Sequence, residues 1–170
     1  SEYQEGVREL LVHKDLDPSF SVGMMTALPL NNMVCESFEV QGHSVFVVVT
    51  AGVGNAIDVS TSYQYDIDLR PGTINTWVFI NGNLSDEAYI EALVTSTEAK
   101  VRALHDMNVR DRRTGQLATG TPTDSILISS SQQGELEPFA GPITPIGKLI
   151  GRGVYEVTKK AIERYLDQTE

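Results

Sequence analysis

The feature that most restricts this chain is a strand-helix-strand pattern in its middle third. An apolar run, Thr76-Trp77-Val78-Phe79-Ile80, leads through Asn81-Gly82-Asn83 into SDEAYIEALVTSTEAKVRALHDM, Ser85 to Met107. The segment ATGTPTD, Ala118 to Asp124, then opens the strand DSILISS, Asp124 to Ser130. Ser85 is a good N-cap, and Asp86 and Glu87 put negative charge in the first turn, where the helix dipole favours it. Ile90, Leu93, Val94, Thr97, Val101 and Leu104 recur at steps of three and four, which predicts one buried apolar face with Thr97 in its middle and Glu98 at its edge.

Other elements arrange themselves around this unit. Glu2 to Val12 reads as a short amphipathic helix, and Ser21 to Ala27 as a short buried strand. Met33 to Val40 and Ser44 to Thr50 read as a hairpin about Gln41-Gly42-His43, with the second strand apolar on both faces and therefore central. It runs into Ala51-Gly52-Val53-Gly54-Asn55-Ala56, which is either a tight turn or a phosphate-cradling loop; a third glycine and a following helix are missing for the latter. Asp58 to Arg70 is polar, and its aspartates Asp58, Asp66 and Asp68 match no calcium-loop spacing, so a solvated loop is the expectation. Asn108 to Gly115 is a charged, exposed run.

Thr144-Pro145 starts a long C-terminal helix whose apolar stripe runs from Ile146 to Tyr165. Gly147, Gly151 and Gly153 each cost about 1 kcal/mol there against alanine, so something packs closely on that turn, either the sheet or a ligand. If it is a ligand, Arg152 and Tyr155 are the side chains nearest it. The expected fold is α+β, or mixed α/β: a single domain over residues 1–170 with a mixed sheet of about five strands, two long helices and a short N-terminal helix.

Composition excludes several classes. With 23 acidic against 13 basic residues the net charge is −10, unsuited to nucleic acid or an anionic membrane surface. No apolar run approaches the ~20 residues of a membrane span, and a single cysteine fits a reducing cytoplasm, the expected location. HExxH, paired CxxC and G-x-S-x-G are absent, and the three histidines, His13, His43 and His105, are scattered, so no metal site is expected. Cys35 and His43 do not form a dyad: in the hairpin register Cys35 faces Val48, five positions and about 16 Å from His43, which leaves it a small buried apolar residue.

What remains for chemistry is a set of carboxylates, hydroxyls and amides. Glu98 serves as general base and then acid if it is buried, with Asp124, Thr97 and Thr121 beside it. Asn75, Asn81, Thr119 and Thr123 supply donors to a bound substrate. Direct attack by water is the expectation, since no residue of the Thr119–Thr123 loop supplies an evident base for a hydroxyl. The alternative is structural: Thr97 bonding its own helix, Glu98 paired with Arg102, and the TGTPTD loop capped by Asp124.

Several blocks in fixed order carry a family resemblance. PGTIN (71–75), NGNLSDEA (81–88), TSTEAK (95–100), ATGTPTDS (118–125), AGP (140–142) and LIGRGVYE (149–156) resemble the adenosylcobinamide amidohydrolases of corrinoid salvage, over roughly Val22 to Thr158. The resemblance implies hydrolysis of the amide joining the aminopropanol arm to the corrin ring, giving adenosylcobyric acid and 1-amino-2-propanol. It implies no cofactor beyond the cobalt of the substrate, and a small-molecule corrinoid as the partner. More chain precedes Val22 in the family, including a glycine-rich segment, so this chain is expected to be shortened at its N-terminus. A non-catalytic corrinoid-binding module is the alternative. Pro122 stands where the family pattern carries glycine, and with no N–H it cannot serve an oxyanion hole.

Overall fold

A computed structural model describes residues 2–64 and 72–168, with side chains from residue 5 onward. Its centre is a mixed four-stranded sheet in the order β1-β2-β3-β5, where β1 is Val34–Val40, β2 His43–Ala51, β3 Ile74–Asn81 and β5 Ser125–Ser130. β1 and β2 form the expected hairpin, with Val40 opposite His43 and a turn at Gln41 (φ 50°) and Gly42 (φ 84°). Both turn residues need positive φ, as a two-residue hairpin twisted like its strands requires. β2 also pairs antiparallel with β3, and β3 pairs parallel with β5. A parallel neighbour needs a crossover, which α2 (Asp86–Asp106) provides. The short β4 (Asn83–Leu84) and β6 (Leu136–Glu137) pair in parallel beside the start of α2. The α+β class and single domain agree with the sequence reading; among the described residues the strands number six.

The sheet is one-sided. Val45, Val47, Val49, Ala51, Ile74, Thr76, Val78 and Ile80 alternate onto the face covered by α2 and α3 (Pro145–Asp167), and this layer is the core. Side chains of opposite parity face outward, among them Phe46, Val48, Trp77, Phe79 and Leu127. The chain crosses this outer face near Met25, whose carbonyl accepts from Asn75 Nδ2 at 2.8 Å. Ser21 to Ala27 is therefore not the buried strand expected: it pairs with no strand, and Val22 and Met25 are exposed. α1 spans Glu2–His13, one residue beyond the expectation. Among the described residues no helix is long and apolar enough to cross a membrane.

α2 presents a different face from the one expected. Its N-cap is Ser85, which accepts from Ala88 N, but the buried residues are Ala88, Ala92, Thr95, Ser96, Lys100, Ala103 and Leu104. Ile90 and Val94 remain 65% and 51% exposed, and Thr97 and Glu98 point to solvent. The reason is distance. α2 lies closely against α3, where a Cβ on Gly151 would sit 3.7 Å from Thr95 Cγ2, and only small side chains fit such a seam. The large apolar groups are thereby turned outward.

Packing also accounts for the glycines of α3. A Cβ on Gly153 would fall 2.9 Å from Phe38 and 3.0 Å from Val47, and one on Gly147 would overlap the Gly141 carbonyl. Sheet and loop, not a ligand, are what approach. Gly153→Leu should therefore overpack the core and lower stability by about 1–3 kcal/mol. Gly151→Ala, with ordinary contact distances, should instead raise it by roughly 0.5–1 kcal/mol. Denaturant melts of the two variants would show the opposite signs.

Candidate active site

At the N-terminal ends of β3 and β5, one carboxylate collects four donors. Asp124 Oδ1 accepts from Ile74 N at 3.0 Å and Thr121 Oγ1 at 2.5 Å; Oδ2 accepts from Thr121 N at 3.1 Å and Lys100 Nζ at 2.5 Å. Four donors fill a carboxylate's lone-pair sites. Lys100 reaches in from the small-residue face of α2, one turn after Ser96, and its side chain is 8% exposed against 12% for Asp124. Two charges this secluded persist only as a hydrogen-bonded pair. Gly120 completes the fit: a Cβ there would overlap Asp124 Oδ2 and come within 3.0 Å of Lys100 Nζ, so the loop can close over the pair only with glycine.

Neighbouring hydroxyls and backbone lock the loop to its surroundings. Thr119 Oγ1 accepts from Val59 N, and its N–H donates to Ile57 O. Thr73 Oγ1 donates to the Thr123 carbonyl at 2.8 Å, while Thr123 Oγ1 donates to Gly72 O at 3.3 Å. Beneath the loop, buried Asp111 accepts from the N–H groups of Asp58, Arg113 and Thr114. In a run read as exposed charge, Asp111 is thus an internal anchor. The Gly52–Ala56 segment is a tight turn, with Ala56 N donating to Val53 O, Gly52 packed on Leu28 and Gly54 on Tyr165. Asp58 caps its own loop through Ser60; Asp66 and Asp68 lie outside the described residues.

Of the residues singled out in the sequence, the structure joins Thr121 to Asp124 and sets Thr119 and Thr123 around them. It does not bring Glu98 or Thr97 to the cluster. Glu98 is two residues from Lys100, about 200° around the helix, so the two point in nearly opposite directions. Thr97 Oγ1 donates to Leu93 O within its helix, and Arg102 pairs with Asp106 rather than Glu98. Asn75 is buried under Met25, while Asn81, at the far end of β3, accepts from Ser131 Oγ. Arg152 pairs with Glu156 and lies over Phe38; Tyr155 donates to Asp106. That hydroxyl, followed by Arg102, holds the exposed Asp106 carboxyl below its ordinary range. No hydrogen bond links either residue to Asp124, Thr121 or Lys100. Cys35 does face Val48 but is exposed, because its strand position points to the uncovered side.

Lys100 is the residue the sequence reading missed. Its signal was positional: it continues the small-residue repeat Ala88, Ala92, Ser96, where a lysine must find an acid. The structure also gives the loop an acceptor for a hydroxyl, since Thr121 Oγ1 donates to the Asp124 carboxylate. A hydroxyl, its acceptor and a third group orienting that acceptor are the geometry of an activated nucleophile.

A one-sided α+β domain with a buried Lys–Asp–Thr cluster at its sheet edge is thus the class of protein in hand. The chain belongs to the CbiZ family, adenosylcobinamide amidohydrolase, whose model matches residues 1–170. It is similar to an uncharacterized protein of Methanocaldococcus jannaschii, 36% identical over 84 residues, 49% of this chain and 32% of that protein. It is also 27% identical over 169 residues to the adenosylcobinamide amidohydrolase of Methanosarcina mazei, covering 94% of this chain and 74% of the relative.

Lys100→Met leaves Asp124 buried with its three uncharged donors, and should destabilise the fold by about 3 kcal/mol. Glu98→Gln, on an exposed face, should stay within about 0.5 kcal/mol of wild type. Equilibrium unfolding in urea measures both.

Proposed function

We propose that the chain hydrolyses the aminopropanol amide of adenosylcobinamide, yielding adenosylcobyric acid and 1-amino-2-propanol, a step of corrinoid salvage. The observation that carries this reading, beside the family membership, is the buried Lys100–Asp124–Thr121 cluster. Amide hydrolysis needs a nucleophile, stabilisation of the oxyanion and a proton for the departing amine. The three side chains divide these tasks.

Thr121 Oγ attacks the carbonyl carbon, and its proton passes to Asp124 along the existing hydrogen bond. Direct attack by water fits less well, because both Asp124 oxygens are already occupied, Oδ1 by the threonine hydroxyl itself. Lys100, with N–H groups beyond the one given to Asp124, stabilises the oxyanion and protonates the amine as the C–N bond breaks. The proton on Asp124 then returns to Lys100, and water hydrolyses the ester on Thr121. The substrate's cobalt belongs to the ligand, and no step requires a further cofactor.

Wild-type protein incubated with adenosylcobinamide should release 1-amino-2-propanol. Thr121→Val should lower kcat by at least about 10²-fold, with Thr121→Ser retaining part of it, and Asp124→Asn should cost a similar factor. A mass increase equal to the corrinoid acyl group on the intact protein should be trapped in a slow variant. Full turnover in Thr121→Val would make water the nucleophile, and corrinoid binding without release would indicate a binding module.

A further inference from the structure

We propose that the open end of the sheet's outer face is the platform for the flat part of the substrate, with the corrin ring resting on Phe46 and Phe79. This rests on the function proposed above and adds where and how the ring is held. At the end of the sheet away from Asp124, a cavity of about 410 Å³ opens on this face. Phe46 and Phe79, directly opposite one another across β2 and β3, form its floor, with ring centroids 6.2 Å apart and planes tilted by 30°. Both are unusual for core-sized aromatics in being 40% and 42% exposed. A pair of rings left open to water on a flat surface favours a flat apolar ligand.

The cavity edge selects among such ligands. Ser37, Ser44, Asn81 and Ser129 supply neutral donors and acceptors, and among the described residues Glu39 is the single ionisable lining residue, with no cation beside it. Phosphate or carboxylate has no counter-charge there. An alkylcobalt corrin fits on both counts: its periphery carries neutral amides for the hydroxyl and amide edge, and its cobalt leaves the macrocycle with a net positive charge facing Glu39 in a chain of charge −10.

The dimensions suit a macrocycle that carries a side arm. From Ser129 to Asp124 is five residues of strand, about 16 Å. Between those ends Val48, Trp77 and Leu127 lie side by side across three strands, half buried, and continue the apolar floor. A ring laid on this floor sends its scissile arm past the Met25 segment, which covers Asn75, and around the strand ends to Thr121 and Asp124 on the helix side.

Trp77, the one tryptophan of the chain, gives a direct reading, since its emission is quenched when a light-absorbing corrin binds. Adenosylcobyric acid keeps the ring but lacks the scissile amide, and its Kd would be measured for wild type, Phe79→Asp and Phe46→Ser, alongside KM and kcat for adenosylcobinamide. Both side chains are exposed enough that the variants should melt with the wild type, and a second substitution stands in if one does not. Kd and KM rising at least about tenfold with kcat within about twofold supports the platform. Unchanged Kd and KM in folded variants, with wild-type turnover intact, overturns it while the hydrolase reading stands. Loss of adenosylcobyric acid binding in the variants of a protein that releases no aminopropanol supports the platform and removes the hydrolase reading. No quenching and no absorbance change in wild type overturns the platform.

Discussion

The structure depends on the ion pair between Lys100 and Asp124. Asp124 ties together three pieces of chain far apart in sequence: the first N–H of β3, the Thr121 turn and the middle of α2. Each charge is secluded enough that neither persists without the other. Their union fixes how far α2 can slide along the sheet and holds the Gly120 loop against the strand ends. Gly120 has room for no side chain because the pair lies against it. A cluster that organises the fold in this way also holds an oriented hydroxyl and an ammonium at the sheet edge, so in the proposed mechanism stability and chemistry share the same atoms.

Close approach is the second theme. α2 and α3 meet across Thr95 and Gly151, and α3 meets the sheet across Gly153, Phe38 and Val47. Small residues at these seams let two long helices pack closely on one face of the sheet. On the other face Phe46 and Phe79 stand open to solvent, and among the described residues the Met25 segment, held by Asn75, crosses near β3.

Much of this was legible in the residues themselves. The Gln41-Gly42 turn set the hairpin register, Ser85 and Thr144 capped the two long helices where expected, and the apolar runs of β2, β3 and β5 lie where their patterns put them. Local rules suffice there because turns, caps and strand alternation are decided by neighbours in sequence. Thr121 and Asp124 were within reach for the same reason, three residues apart in one turn.

What the sequence by itself determined, then, was the order and kind of elements and the threonine-rich loop that ends at Asp124. What only the tertiary structure decided was which side of each element faces inward. Ile90, Leu93 and Val94 outweigh Ala88, Ala92 and Ser96 in any count of hydrophobicity, yet the alanines are inside. Burial depends on the space between helices, and periodicity carries no information about that distance. The same rotation placed Glu98 in solvent and Lys100 against Asp124. The small-residue repeat marks Lys100 as needing an acid, but that acid lies 24 residues further along the chain, and only the fold brings the two together in space.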